Sequence, residues 1–187
     1  MGPRVERGWR STAHEAKLEW EKPWSYDDFV FMSNAPGHDG HAFFKILDEA
    51  SGVYLWRVKK LGGLFNVDLY VGQTAKGFGT RTDDHLKRSD LGKKLKTLKE
   101  EGKEPFVYFA RLYFGTLPRG RDVEECRKMI LDSVERALIW ELKPTWNQQQ
   151  NVTARIPLNV SIESIKDVPR GVPSRIIGKA GERHRGI

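Results

Sequence analysis

Gly52-Val53-Tyr54-Leu55-Trp56-Arg57-Val58, followed after a link by Leu69-Tyr70-Val71-Gly72, is the stretch that fixes the reading of this chain. β-Branched and aromatic residues dominate both runs, and such side chains suit the pleated, half-buried surface of a strand. Between them stand Lys59-Lys60 and Gly62-Gly63, the polar and glycine punctuation of a hairpin connection. The two runs are therefore expected on neighbouring strands. Further along, Phe106 to Phe114 is apolar or aromatic at nearly every position except Arg111, as in a strand covered on both faces.

Helical spacing marks two later segments. Leu91, Leu95 and Leu98 form the buried stripe of one, with Lys93, Lys94, Lys96 and Lys99 on its other positions. Asp122 to Leu142 is the longest, with Met129, Ile130, Val134, Ala137, Leu138 and Leu142 facing inward and Lys143-Pro144 ending it. These elements predict an α/β domain with a small central, mostly antiparallel sheet of three strands flanked by helices. Upstream, Ser11 or Thr12 can cap a helix running through Glu21, with Pro23 as its stop, and Phe43, Phe44, Ile46 and Leu47 recur with helical spacing. The chain thus divides into an amino-terminal extension, 1–50, a core, 51–149, and a basic carboxyl-terminal tail, 150–187.

With 187 residues there is enough chain for one domain to bury a core without metal or disulfide staples. Thirty-two Lys plus Arg against twenty-five Asp plus Glu leave a formal charge of +7, which favours a polyanionic partner through phosphate neutralisation and counterion release. No run approaches the 18 apolar residues of a membrane span. Cys126, the single cysteine, falls in an apolar helical stripe and reads as a packed thiol. With no signal-peptide pattern at the amino terminus, a reducing cytoplasm is expected.

Six side chains stand out as an ordered series along this chain: Tyr54, Tyr70, Arg81, His85, Glu135 and Asn147. Two phenols, a guanidinium, an imidazole, a carboxylate and an amide are the inventory for hydrolysing a phosphodiester with one divalent metal. Parity along a strand turns Tyr70 to the side opposite Leu69 and Val71. Arg81 and His85, four apart on a helix that Thr80 or Thr82 can cap, share a face and can reach one phosphate together, the guanidinium through paired hydrogen bonds. Glu135 is an acid in an otherwise apolar helical stretch, costly to bury unless a cation compensates it. One hard ion such as Mg²⁺, held by a carboxylate, waters and substrate oxygens, meets that need. Taken singly, the tyrosines are ordinary strand residues, Arg81 and His85 a solvated helix face, and Glu135 a salt-bridge partner.

In order and spacing the six resemble the GIY-YIG nuclease family, with Val in place of Ile in both tripeptides. The resemblance runs from Ser51 to Asn147 and is strongest at Tyr70-Val71-Gly72-Gln73-Thr74 and from Val134 to Asn147. The second segment is similar to the restriction-enzyme branch, in which a glutamate precedes an apolar Leu-Ile pair and Pro-x-x-Asn closes the helix. The resemblance implies a Mg²⁺-dependent DNA endonuclease, of type II restriction kind, in which Mn²⁺ can substitute. Tyr54 is then a candidate for activating water, Tyr70 positions water or phosphate, Glu135 binds the metal and Asn147 has a positioning or structural role. Tyr54 and His85 both stay open as the general base.

Gln73 stands where some relatives carry lysine, so it can orient a phosphate but supplies no charge. Lys93, Lys94, Lys96 and Lys179 are further candidate DNA contacts. Lys179 sits in Gly178-Lys179-Ala180-Gly181, which resembles the backbone-clamping loop of KH domains. Six residues after Gly181 are too few for that fold, which leaves a basic turn touching phosphates. One site with one metal cuts one strand, so severing a duplex is expected to take a homodimer on the DNA or two successive binding events, with residues 1–50 and the tail as candidates for sequence recognition and subunit pairing. The alternatives are a homing, repair or phage-type nicking endonuclease of the same family and a non-catalytic nucleic-acid-binding module.

Overall fold

Alternation of apolar and polar side chains builds more of this molecule than helical periodicity does. His14-Glu15-Ala16-Lys17-Leu18-Glu19-Trp20 buries every second residue and forms strand β1 (His14–Trp20), where the capping signals at Ser11 and Thr12 predicted a helix. Glu, Ala, Lys and Leu all favour helix in isolation, and here pairing on both edges overrides that preference. The computed structural model describes residues 12–34, 50–59, 66–75, 77–78, 89–117, 123–147 and 155–182. The predicted helix around Phe43 to Leu47 lies outside them.

After β1 come β2 (Trp24–Ser25), α1 (Tyr26–Asn34), β3 (Gly52–Lys59), β4 (Asn66–Thr74), α2 (Asp90–Glu100), β5 (Pro105–Phe114), α3 (Val123–Leu142), β6 (Val160–Lys166) and β7 (Arg175–Gly178). One sheet holds all seven strands in the order β4-β3-β5-β1-β6-β7, with β2 beside β5. Every pair is antiparallel except β1 and β6, which run parallel. The sheet is therefore mostly antiparallel, as predicted, but it is not three-stranded. Strand β5 offers two edges; β3 takes one and β1 with β2 takes the other, after which β6 and β7 continue the sheet. Those added strands come from the segments read as extensions.

Helices cover the two faces unequally. On one, α3 lies across the sheet from β4 to β7 over an almost wholly aliphatic core that includes Val53, Leu55, Val71, Val134, Leu138 and Ile162. Cys126 is buried there, as expected of a packed thiol. Gly178 is what lets β7 approach this helix, since a Cβ at that position would stand 3.0 Å from both Ala137 Cβ and Val160 Cγ2. On the other face, α1 and α2 cover an aromatic core of Tyr54, Trp56, Phe109, Phe29 and Phe78 with Leu91 and Leu95. Phe29 meets Trp56 edge-on at 6.2 Å, and Phe78 packs on Phe109 at 5.0 Å.

Local signals start and stop these helices. The Ser25 hydroxyl accepts the Asp28 backbone N–H at 3.0 Å and donates to its carboxylate, capping α1. Lys99 ties α2 to α1 through Asp27 and also bonds Glu104, both at 2.7 Å. At the end of α3, Lys143 takes a left-handed conformation (φ 49°) before Pro144, which stops the helix where the sequence predicts. No helix among the described residues is long and apolar enough to cross a membrane.

Candidate functional site

Both tripeptide glycines are required by close approach rather than by a turn. Gly52 lies against the Ala110 carbonyl oxygen, and an added Cβ would also stand 2.8 Å from the Phe78 ring. Gly72 is paired directly with Tyr54 across the hairpin. A Cβ there would fall 2.7 Å from Tyr54 Cε2 and closer still to Cζ and the hydroxyl oxygen. The phenol of Tyr54 thus lies over the backbone of β4, and only a residue without a side chain fits beneath it. Tyr70 joins it on the same face, its ring centroid 6.1 Å away and its plane inclined by 36°. Tyr54 is 1 % exposed, whereas Tyr70 is half-buried.

A bulge modifies the parity argument. Trp56 pairs with Tyr70 but Arg57 pairs with Asp68, so Leu69 is the extra residue on β4. Leu69 and Tyr70 both pack into the aromatic core, contrary to the expectation that they face opposite sides. Val71 and Gln73 keep the predicted alternation and turn toward α3.

Strand β4 is the sheet's edge, and residues 145–147 close part of it. Thr145 and Trp146 donate backbone N–H groups to the carbonyls of Asp68 and Leu69, at 3.0 and 2.8 Å. Asn147 then reads the backbone of Val71 with its side chain: its Oδ1 accepts the Val71 N–H at 2.7 Å and its Nδ2 donates to the Val71 carbonyl at 2.8 Å. Buried at 1 % exposure, this amide acts as one more rung of the ladder and fixes the strand between Tyr70 and Gly72. Asn147 is thus engaged with the backbone of β4.

The remaining candidates are spread over α3, α2 and the last turn. Glu135 is half-buried on α3, the helix on the face opposite Tyr54. Gln73 donates its amide to Asp132 of the same helix at 2.8 Å, a partner the sequence did not suggest. On α2, Lys93 is 3.7 Å from Asp90 and Lys96 is 3.9 Å from Glu100, both exposed pairs of small energetic weight. Lys94 places its ammonium 5.5 Å over the Trp146 ring, beside the covered part of the β4 edge. At the last turn the Lys179 and Ala180 amides are occupied by Glu182 Oε2 and Asn159 Oδ1, so this loop spends those donors internally rather than on a phosphate. Arg81 and His85 lie outside the described residues. Among the described residues no three His, Cys, Asp or Glu side chains gather into a metal-binding group.

Two polar clusters went unread in the sequence. Arg57, 2 % exposed inside β3, holds Asp68 at 2.5 Å, donates to the Arg170 carbonyl at 2.8 Å and stacks 5.7 Å from the Tyr108 ring. The opposite charges at paired hairpin positions were the available signal. The second lies on the open part of the sheet, where Tyr113 donates to Glu19 at 2.7 Å and Lys166 bridges Glu21 at 3.0 Å and Glu19 at 3.6 Å. The hydrogen bond from Tyr113 lowers the Glu19 carboxyl below the ordinary range against the opposing effect of burial, and Lys166 and Arg111 lower it further. The bond to Glu21 raises the Lys166 ammonium.

No protein-family model, curated protein or solved structure matches the chain.

Proposed function

We propose that this chain is a Mg²⁺-dependent endonuclease that hydrolyses phosphodiester bonds in DNA, acting in the cytoplasm as a sequence-specific enzyme of the restriction type. The observation that carries the reading is the seat of the Tyr54 phenol on Gly72 beside Tyr70. It gives the two tripeptides a joint physical purpose: the first supplies a phenol, and the second supplies the bare backbone that admits it together with a second phenol. The antiparallel unit β4-β3-β5, with α2 and α3, is then the part that bears the site, and the outer strands extend it.

In this reading Tyr54 or His85 takes the proton of the attacking water, Tyr70 orients water or phosphate, and Arg81 neutralises charge gathering on the phosphoryl oxygens. Asn147 keeps β4 in place beneath both phenols. The half-buried carboxylate of Glu135 on α3 would be the residue to hold a hard divalent cation, together with waters and substrate oxygens. Such an ion supplies Lewis-acid stabilisation of the phosphate. The net charge of +7 and the α2 lysines support DNA as the partner, and cutting both strands calls for two copies on one duplex or for two successive binding events.

The near-complete burial of Tyr54 favours a second reading, a nucleic-acid-binding module without cleavage. Digestion of a sequenced plasmid with Mg²⁺ or with EDTA, followed by end mapping, separates them. Discrete fragments that need Mg²⁺, reduced about a hundredfold or more by Glu135→Ala, are the expected result. Nicked circles would move the assignment to a homing, repair or phage-type nicking enzyme. Retention of DNA with no Mg²⁺-dependent product would leave the binding module.

A further inference from the structure

Apolar packing holds α3 to the sheet, but such packing is not directional and by itself lets a helix turn or slide. Directional bonds set its height. Toward the carboxyl-terminal strands, Ser133 Oγ accepts the Leu158 N–H at 3.0 Å and Arg136 donates to the Arg155 carbonyl. Toward β4, Gln73 donates to Asp132 at 2.8 Å. Gln73 follows Gly72, whose missing side chain seats the Tyr54 ring. Asp132 precedes Glu135 by three residues, which makes the two carboxylates neighbours on one helix flank, about 5–6 Å apart at Cβ.

We propose that Asp132, by accepting the Gln73 hydrogen bond, is the positioning residue that fixes Glu135 relative to the strand carrying Tyr70 and Gly72. The inference rests on the nuclease reading above. A path of contacts runs from the Tyr54 phenol through Gly72 and Gln73 to Asp132, three residues before Glu135 on α3, spanning the sheet at its edge strand. Gln73 suits this task because its amide donates to a carboxylate, a charge-assisted bond, without bringing a positive charge. The flank thereby stays anionic for a cation at Glu135, which a lysine at position 73 would partly neutralise. Asp132 itself touches neither substrate nor metal in this scheme; it acts through the helix.

Plasmid cleavage over a range of Mg²⁺ and DNA concentrations tests the proposal, with duplex retention in EDTA as a second readout. Asp132→Ala and Gln73→Leu should each lower kcat about tenfold to a hundredfold, the cost typical of losing a group that orients a metal ligand. For Asp132→Ala, KM for DNA and retention in EDTA should stay within about threefold, and the thermal melt establishes that the variants are folded. Asp132→Asn keeps an oxygen that can accept the bond and should restore kcat to within about threefold of wild type, whereas Gln73→Glu sets two carboxylates together and should be as impaired as Asp132→Ala. If Asp132→Ala turned over like the wild type, or Asp132→Asn were as slow as Asp132→Ala, the positioning role would be wrong, the second case pointing to direct use of the charge. Wild-type protein that retains DNA but never cuts it would instead remove the nuclease reading beneath the proposal.

Discussion

The two faces of the sheet are made of different materials. Under α3 the core is nearly all branched aliphatic side chains, while across the sheet it is a set of interlocking rings. Aliphatic residues fill space without direction, whereas tyrosine brings an apolar body and a polar tip whose orientation matters. Tyr54 and Tyr70 belong to the ring-built face, whereas Asp132 and Glu135 lie on the helix that covers the aliphatic one. Variants can be chosen to disturb one without the other.

The largest effect belongs to the α3 face. Leu138, fully buried, should cost about 3 kcal/mol when truncated to Ala, from lost burial plus the cavity left behind. The denaturant midpoint should fall with an unchanged slope; a shift near zero would mean that α3 is not seated as described. A change in the opposite sense probes the aromatic face. Gly72→Ala drives a methyl into the Tyr54 ring and should destabilise by about 2 kcal/mol. Combining it with Tyr54→Ala should be less than additive by about 1 kcal/mol, and strict additivity would dissolve the proposed contact.

The smallest effect is expected where neither core reaches, on the open polar part of the sheet. Tyr113→Phe removes the hydrogen bond to Glu19 and should cost about 0.5 kcal/mol at neutral pH, as suits a solvent-screened pair. Because the folded carboxyl of Glu19 is depressed, its contribution is present above the unfolded value of about 4.3 and disappears as pH falls through the lower folded value. Wild type and variant should therefore converge in acid. A gap that persisted below that range would assign the effect to packing instead.

Much of the aromatic side was legible beforehand because its strands advertise themselves with β-branched and aromatic runs. Helices α2 and α3 were equally plain from their leucine and isoleucine spacing. β1 was misread because Glu15, Ala16, Lys17 and Leu18 favour helix locally, while the period-two pattern from His14 to Trp20 gains its force only when β5 and β6 are there to pair with it. The same alternation in Val160-Ser161-Ile162-Glu163 was passed over as part of a basic tail. The bulge at Leu69 leaves no mark in composition, since it arises from register with β3. For the site, sequence order named Tyr54, Tyr70 and Asn147, and the fold adds what each touches. Asp132 was hidden because a carboxylate on a helix flank has no meaning until its cross-strand donor is known.

Strand β1 sits between β5 and β6, with His14 opposite Val160, so the middle of the sheet is stitched from segments made early and late in synthesis. A nascent chain that has not reached residue 166 leaves one side of β1 bare, an invitation to pair with another molecule. Long-range strand pairing is also slow, because the loop must close before any contact repays it. Pairing of β1 on both sides accordingly waits for β6, and truncation before β6 should yield aggregates rather than a smaller folded core.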